Sequence, residues 1–169
     1  MEAFFIDMNF MIEIRSGKIE DLPQVLQLVK ELAEYEKALH EVTNTVALME
    51  KEGFGENPLF GFFVAEEDQK IIGISLYYYR YSTWKGKRLY LEDIVVTGSH
   101  RGKGIGHLLF EETMRFALKS DCCGMQWQVL DWNEPAINFY KKYQARLDNE
   151  WINCHLEANQ ISEFLARKD

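Results

Sequence analysis

The chain is predicted to fold as a mixed α/β protein, a central sheet flanked by helices in one domain. Three observations predict it. Its 169 residues suit one ordinary domain. Three apolar segments follow one another between residues 59 and 96, joined by short polar links, which favours an antiparallel meander. Two helical patterns then alternate with strand patterns, giving the order β-α-α-β-β-β-α-β-α-β and a sheet whose later strands join by crossovers.

The elements are expected as follows. Met11–Arg15 alternates apolar and polar residues and reads as a strand. The first ten residues precede any regular pattern and read as an N-terminal extension. They lack the basic start and small-residue cleavage site of a leader peptide. Ile19 to Leu39 reads as a helix, with Leu22, Val25, Val29, Leu32 and Ala33 on one face and Pro23 in its first turn. Asn44–Lys51 reads as a second short helix closed by Gly53. Strands are expected at Leu59–Glu66, Lys70–Tyr79 and Arg88–Val96, with Glu67-Asp68-Gln69 as a hairpin turn and Ser82–Gly86 as a looser link. A helix from Gly104 to about Lys119 would pack through Ile105, Leu108, Leu109, Thr113, Phe116 and Ala117. Met125–Leu130 reads as a strand. Asn133 caps a helix to about Tyr143 with Pro135 in its first turn. Trp151–Glu157 reads as a last strand and Ile161–Arg167 as a terminal helix.

Composition narrows the function classes. Lys+Arg 19 against Asp+Glu 27 gives a net charge of −8, the opposite of the basic face that nucleic-acid binding needs. An acidic surface attracts small cations instead. The apolar runs are too short to span a bilayer, so no membrane partner is expected. The 3 cysteines, Cys122, Cys123 and Cys154, show no metal-ligand or disulfide spacing. No metal and a reducing, cytoplasmic setting are therefore expected.

The segment Tyr90–Gly106, YLEDIVVTGSHRGKGIG, runs from a strand into a glycine-rich helix start. Gly102, Gly104 and Gly106 let the backbone approach a ligand closely. The helix N-terminus offers free amides and a positive dipole end, and Arg101 and Lys103 add charge, making a cradle for phosphate or pyrophosphate. The spacing fits neither the dinucleotide G-x-G-x-x-G/A fingerprint, where His107 stands at the third position, nor a P-loop, because Lys103 is followed by Gly104.

The segment resembles the acetyl-CoA signature of the GNAT acyltransferase superfamily, Q/R-x-x-G-x-G/A, at Arg101, Gly104 and Gly106. LVKELAEYE, GFGENP, YYRYSTWKGKRLYLEDIVV and VLDWNEPAINFYKK resemble its spermidine/spermine and thialysine N-acetyltransferase branch. The resemblance spans roughly Met11 to Leu156. It implies a sheet whose fourth and fifth strands splay apart for the pantetheine arm, acetyl-CoA as co-substrate, and a homodimer. Coenzyme A would be held by Ile94, Val95, Val96, Arg101, Gly102, Lys103, Gly104, Ile105, Gly106, Asn133, Ala136 and Tyr140, with Ile94 and Val96 acting through backbone N–H groups.

The chemistry is attack of an amine on a thioester. A protonated amine must lose a proton, and the departing thiolate benefits from gaining one. Glu92, on the strand before the loop, is the candidate to bind the cation and accept its proton. Tyr140 matches the family's general acid. Tyr35, Glu36, Trp84, Glu92, Asp93, Glu150 and Trp151 are candidate amine contacts, carboxylates beside aromatic faces being suited to an ammonium group. Polyamine enzymes tend to carry Asp where this chain has Ser82, which points to a small amine such as thialysine, a lysine-like amino acid or a short diamine. Gln144 stands where many members have glycine, so the turn there is expected to differ. A coenzyme-binding regulatory module, and an enzyme acting on a protein or peptide amine, stay open as alternatives.

Overall fold

A computed structural model describes residues 12–167. Met11 and the first ten residues, read above as a strand start and an extension, lie outside them. The chain divides between Gln128 and Val129 into two units.

The first unit is built on a sheet in the order β1-β2-β3-β4-β5. β1 (Glu13–Ser16), β2 (Gly61–Glu67), β3 (Lys70–Ser82) and β4 (Gly86–Val96) pair antiparallel in succession, and β5 (Met125–Gln126) joins β4 in parallel. The β2–β3 turn is short because Asp68 and Gln69 both take positive φ, 50° and 63°. That geometry matches the twist of the flanking strands.

Helices cover both faces of the sheet. α1 (Leu22–Tyr35) and α2 (Val46–Phe54) bury Leu22, Val25, Leu28 and Met49 against Phe62, Val64, Ile74 and Val95. α3 (Ile105–Lys119) buries Ile105, Leu109 and Ala117 against Phe63, Ala65, Ile72 and Leu89 on the other face. Alternating strand residues therefore feed two separate apolar clusters, as a pleated sheet covered on both sides requires. Between β3 and α3 the pair Ser75–Thr113 is completely buried, with hydroxyls 2.8 Å apart. At the β1 edge the Arg15 guanidinium grips Asp21 with two bonds of 2.7 and 2.9 Å and donates Nε–H to Glu66 at 2.7 Å.

Several expected boundaries move, each for a local reason. The first helix stops at Tyr35 rather than near Leu39. Lys37 turns left-handed at φ 61°, and Ala38 N–H donates back to the Ala33 carbonyl at 2.8 Å, a Schellman-type ending. Its first residues, Ile19–Asp21, form a 3-10 turn instead. The second helix starts later because Thr45 caps it, its hydroxyl accepting from Leu48 N–H at 3.2 Å. Gly53 lies inside that helix rather than closing it. A Cβ there would stand 2.5 Å from the Phe60 ring, so glycine serves a close approach. On α3, Leu108 is exposed and Phe110 is buried, its ring meeting Trp127 edge-on at 5.4 Å.

The expected strand Met125–Leu130 is reduced to two residues. It pairs only through Leu89↔Met125 and Tyr90↔Gln126. β4 runs on for six residues, Leu91 to Val96, with no strand on that edge among the described residues. This is the parting of the fourth and fifth strands.

In the second unit, α4 (Glu134–Lys141) and α5 (Ala158–Ala166) are helical as expected. The expected strand Trp151–Glu157 does not form. Its alternating pattern is strand-like, but a strand needs a backbone partner, and no ladder among the described residues involves it. Ile152 and Leu156 stay exposed. Gln144 adopts φ 57°, so the turn after α4 uses the conformation glycine favours, with glutamine in it.

Candidate active site

Within the first unit the candidate residues gather at the C-terminal half of β4. The key local feature is a register shift. Leu76 faces Asp93 while Tyr77 faces Leu91, so Glu92 is an extra residue in β4. Neighbours on a regular strand point to opposite faces. A bulge cancels that alternation, and Glu92 and Asp93 both line one pocket of about 240 Å³, together with Leu76, Phe60, Asn44 and Glu52.

The electrostatics of this pocket are unfavourable to a carboxylate and favourable to a cation. Burial, reinforced by the charges of Glu92 and then Glu36, pushes Asp93 up to about 6 from 3.8. Burial also raises Glu36, which ends α1 at its negative pole. Next to Glu92 the Tyr78 and Tyr90 rings lie 5.1 Å apart, with the Arg80 guanidinium 5.8 Å from the centre of Tyr90. Burial raises the Tyr78 phenol, followed by the Glu92 charge, with a hydrogen bond to Glu92 as the smallest contribution.

Pairing with β3 decides which way the backbone at the end of β4 points. Thr97 N–H donates to the Ile72 carbonyl on β3 at 2.9 Å, and the Val96 carbonyl instead accepts from Arg101 Nε–H at 3.0 Å. By alternation, the polar groups of Val96 and Ile94 face away from β3, toward the edge that β5 has left. Apart from the Val96 carbonyl, these groups form no ladder with a described strand on that edge. The side chain of Val95 is buried in the core, and Ile94 and Val96 pack beneath α3.

At the end of β4 the glycine-rich loop takes the shape a phosphate cradle needs. Gly102 and Gly104 have φ 77° and 83°, and Gly104 is the N-cap of α3. A Cβ at either would meet nothing within 4 Å, so backbone conformation rather than space demands glycine there. The amides of Ile105 and Gly106 open α3 and have no acceptor inside it. Arg101 and Lys103 are exposed around them. These residues fit a pyrophosphate by conformation, free amides and charge together.

The structure separates some predicted contacts from this cluster. Tyr35 lies under the Arg101 guanidinium, 5.4 Å from its centre, and so belongs with the glycine-rich loop. Trp84 sits at the exposed tip of the β3–β4 hairpin, about 20 Å along the strand from Glu92 at about 3.3 Å per residue. Ser82 lies in the same turn, its hydroxyl accepting from the Trp84 and Lys85 amides at 3.3 Å. In the second unit, Asn133 caps α4, its side-chain oxygen accepting from Ala136 N–H at 3.3 Å. Tyr140 is buried on that helix, with the Phe139 ring 5.2 Å away. Glu150 and Trp151 are exposed in irregular backbone.

Sequence reasoning missed Tyr78, Tyr90 and Arg80. The period-2 series Ile74, Leu76, Tyr78, Arg80, set opposite β4, carries that signal. Among the described residues no cluster of His, Cys, Asp and Glu could hold a metal ion, and no helix is long and apolar enough to cross a membrane.

Comparison with known proteins agrees with this geometry. The acetyltransferase (GNAT) family pattern matches residues 24–145. A mouse thialysine N-epsilon-acetyltransferase is 36% identical over 91% of this chain and 97% of its own length. A pig enzyme of the same name is 40% identical over the same shares of the two chains. Among solved structures, the aminoglycoside N-acetyltransferase AAC(6')-Iy, in complex with CoA, superposes with a TM-score of 0.70 at 18% identity, over 90% of this chain and 99% of that one. With the parted strands, the glycine-rich loop and these relatives together, the chain belongs to the GNAT acetyltransferase family and is an acetyltransferase of that fold.

Proposed function

We infer that the protein transfers acetyl from acetyl-CoA to a small cationic amine of the thialysine, lysine-like or diamine type, acting as one N-acetyltransferase domain. The observation that carries this is the bulge at Glu92, which turns two adjacent carboxylates into one pocket beside Glu36. A pocket that raises its own acid is poised to accept a compensating positive charge. The relatives named for thialysine acetylation support the same substrate class.

In this reading the amides of Ile105 and Gly106, with Arg101 and Lys103, hold the pyrophosphate. The backbone of Ile94 and Val96 holds the pantetheine arm, with one amide donating to the thioester oxygen as charge develops there. Asn133 and Ala136 complete the coenzyme contacts. Glu36, Glu92 and Asp93 bind the ammonium group, and Glu92 accepts its proton. Tyr140 returns a proton to the departing thiolate. Trp84, Glu150 and Trp151 serve a longer acceptor through the second copy of a homodimer. The charge balance supports no nucleic-acid partner, the short apolar runs support no membrane partner, and the free cysteines support a reducing, cytoplasmic setting.

One observation favours a second assignment of the base. Asp93, at about 6, is better matched to proton acceptance near neutrality than an ordinary carboxylate. The test of both is thiol release from acetyl-CoA across thialysine, lysine, putrescine, spermidine, spermine and a lysine peptide. Turnover with one small amine is expected, abolished by Glu92→Gln and slowed by Tyr140→Phe. Spermine as the best acceptor by a wide margin, or no turnover beside measurable coenzyme binding, would overturn the reading. If Asp93 is the base, Asp93→Asn rather than Glu92→Gln removes the rise of kcat/KM with pH near 6.

A further inference from the structure

The glycine-rich loop is tied down by a contact that lies outside the acetyl-CoA signature. His100, immediately before Arg101, closes a short 3-10 turn over Gly98–His100. Its Nε2 lies 2.8 Å from the Glu67 carboxylate, and its Nδ1 lies 2.8 Å from the Ser99 hydroxyl. The two side chains are mostly covered, at 16% and 24% exposure. One hydrogen arrangement satisfies all three groups: Nε2–H donates to Glu67, and Nδ1 accepts from the Ser99 hydroxyl. A neutral ring suffices for this.

Glu67 is a rigid anchor. It ends β2 and pairs with Lys70 across the tight Asp68-Gln69 turn. At the other end of the turn, the Thr97 hydroxyl donates to Glu31 on α1 at 3.3 Å. The loop is thus held at residues 97 and 100, and α3 begins at Ile105. Only Arg101 to Gly104 lie between, and two of these are glycines in left-handed conformation. Glycine loses more conformational freedom on ordering than any other residue. Without the anchor at 100, coenzyme binding would have to order a longer glycine-rich span.

We propose that His100 is a positioning residue, which through Glu67 preorganises the glycine-rich loop for the coenzyme. It touches neither the thioester nor the amine. The proposal rests on the reading of that loop as the coenzyme A cradle, and its test separates the two. The role is confined to coenzyme affinity, because once the coenzyme is bound the loop is ordered with or without the anchor.

The experiment is calorimetric titration of coenzyme A into the wild type, His100→Ala, His100→Gln, Glu67→Ala and the double variant His100→Ala/Glu67→Ala, with steady-state kinetics beside it. His100→Ala is expected to weaken coenzyme A about tenfold, which is about 1.4 kcal/mol. The KM for acetyl-CoA should rise by the same factor, with kcat and the KM for the amine within about twofold. Glu67→Ala should give the same loss, and the double variant no more than either single one, since both break one link. His100→Gln, whose amide can still donate to Glu67, should retain most of the affinity. Wild-type affinity in His100→Ala, losses that add in the double variant, or a fall in kcat at saturating coenzyme would each overturn the proposal. If His100→Ala does not fold, Glu67→Ala and His100→Gln carry the same comparison. A wild type that binds no coenzyme A would overturn the cradle reading itself.

Discussion

Asp93→Asn is expected to make the protein more stable and the enzyme slower, and the stability gain should grow with pH in a calculable way. In an unfolded chain Asp93 loses its proton near 3.8, and in the folded protein near 6. Between those values the native state holds a proton that the unfolded state has released, so native stability falls as pH rises through that window. By about pH 7 the loss is complete. The gap between 3.8 and about 6 corresponds to about 3 kcal/mol, at about 1.36 kcal/mol per pH unit. At pH 5 the same linkage amounts to about 1.6 kcal/mol, because the folded carboxyl is still mostly protonated there.

The asparagine amide makes its own contacts, which add a constant offset of either sign. The slope against pH is free of that offset, and so the slope is the test. Urea unfolding followed by tryptophan fluorescence at pH 5, 6, 7 and 8 should show the stability difference between Asp93→Asn and wild type growing by about 1.4 kcal/mol from pH 5 to pH 8. Because Glu92 is the second cause of the raised value after burial, the growth should shrink in a Glu92→Gln background. A difference that is flat across pH would refute the reasoning. Asp93 would then ionise as an ordinary surface carboxylate, and the pocket would hold no stored preference for a cation.

Other expectations follow from the same geometry. Arg15→Met leaves Asp21 buried without its partner and should cost about 3 kcal/mol in urea unfolding at neutral pH. The hydrogen bonds from Arg15 hold the Asp21 carboxyl below its usual value. That pair's contribution is therefore present above about pH 3.8 and is lost as pH falls through the lower folded value. Thr113 donates to the Leu109 carbonyl at 2.8 Å, so Ser75 must be the donor within their pair. Thr113→Val, which orphans that donor, should cost about 2 kcal/mol, Ser75→Ala about 1, and the double variant less than the sum by thermal or urea unfolding. Gly104→Ala forces an alanine to φ 83°; it should lose about 1–2 kcal/mol of stability and weaken coenzyme A in calorimetric titration. Gln144→Gly should gain roughly 0.5–1 kcal/mol, read as a higher Tm.

What could be read from the sequence was what a single segment carries by itself. Arg101–Gly106 announces a strand-to-helix loop through glycines and charges that are neighbours in the chain, and the structure has that loop with Gly104 as the cap. The β2–β4 meander was legible because Asp68 and Gln69 sit between apolar runs of the right length. What failed to show were properties that belong to pairs. The apolar alternation of Trp151–Glu157 looks like a strand, but nothing in that segment says whether a partner is available. Lys37 stops α1 by a backbone turn that no residue type there requires. Trp84 resembles an aromatic wall by its neighbours in sequence, and only the hairpin register puts it far from Glu92.

The bulge at Glu92 is the clearest instance. Leu91-Glu92-Asp93-Ile94 reads as ordinary strand, and regular alternation would send the two acids to opposite faces, one of them beneath α3. One extra residue against Leu76 and Tyr77 changes that. It brings Glu92 and Asp93 into the same pocket. Beyond it the alternation is regular, with Val95 filling the core under α1 while Ile94 and Val96 pack under α3. The backbone of Ile94 and Val96 points to the edge that β5 vacates after Gln126 through their regular pairing with β3. The two-carboxylate pocket is therefore a consequence of this irregularity, and deleting Glu92 should weaken amine binding while leaving coenzyme A binding as it was. Such a deletion leaves Leu91 opposite Tyr77 and Asp93 opposite Leu76 as neighbours on opposite faces, a regular pairing that keeps every other side chain on its own face. A folded deletion variant that still bound coenzyme A and amine like wild type would show that the bulge is incidental to the site.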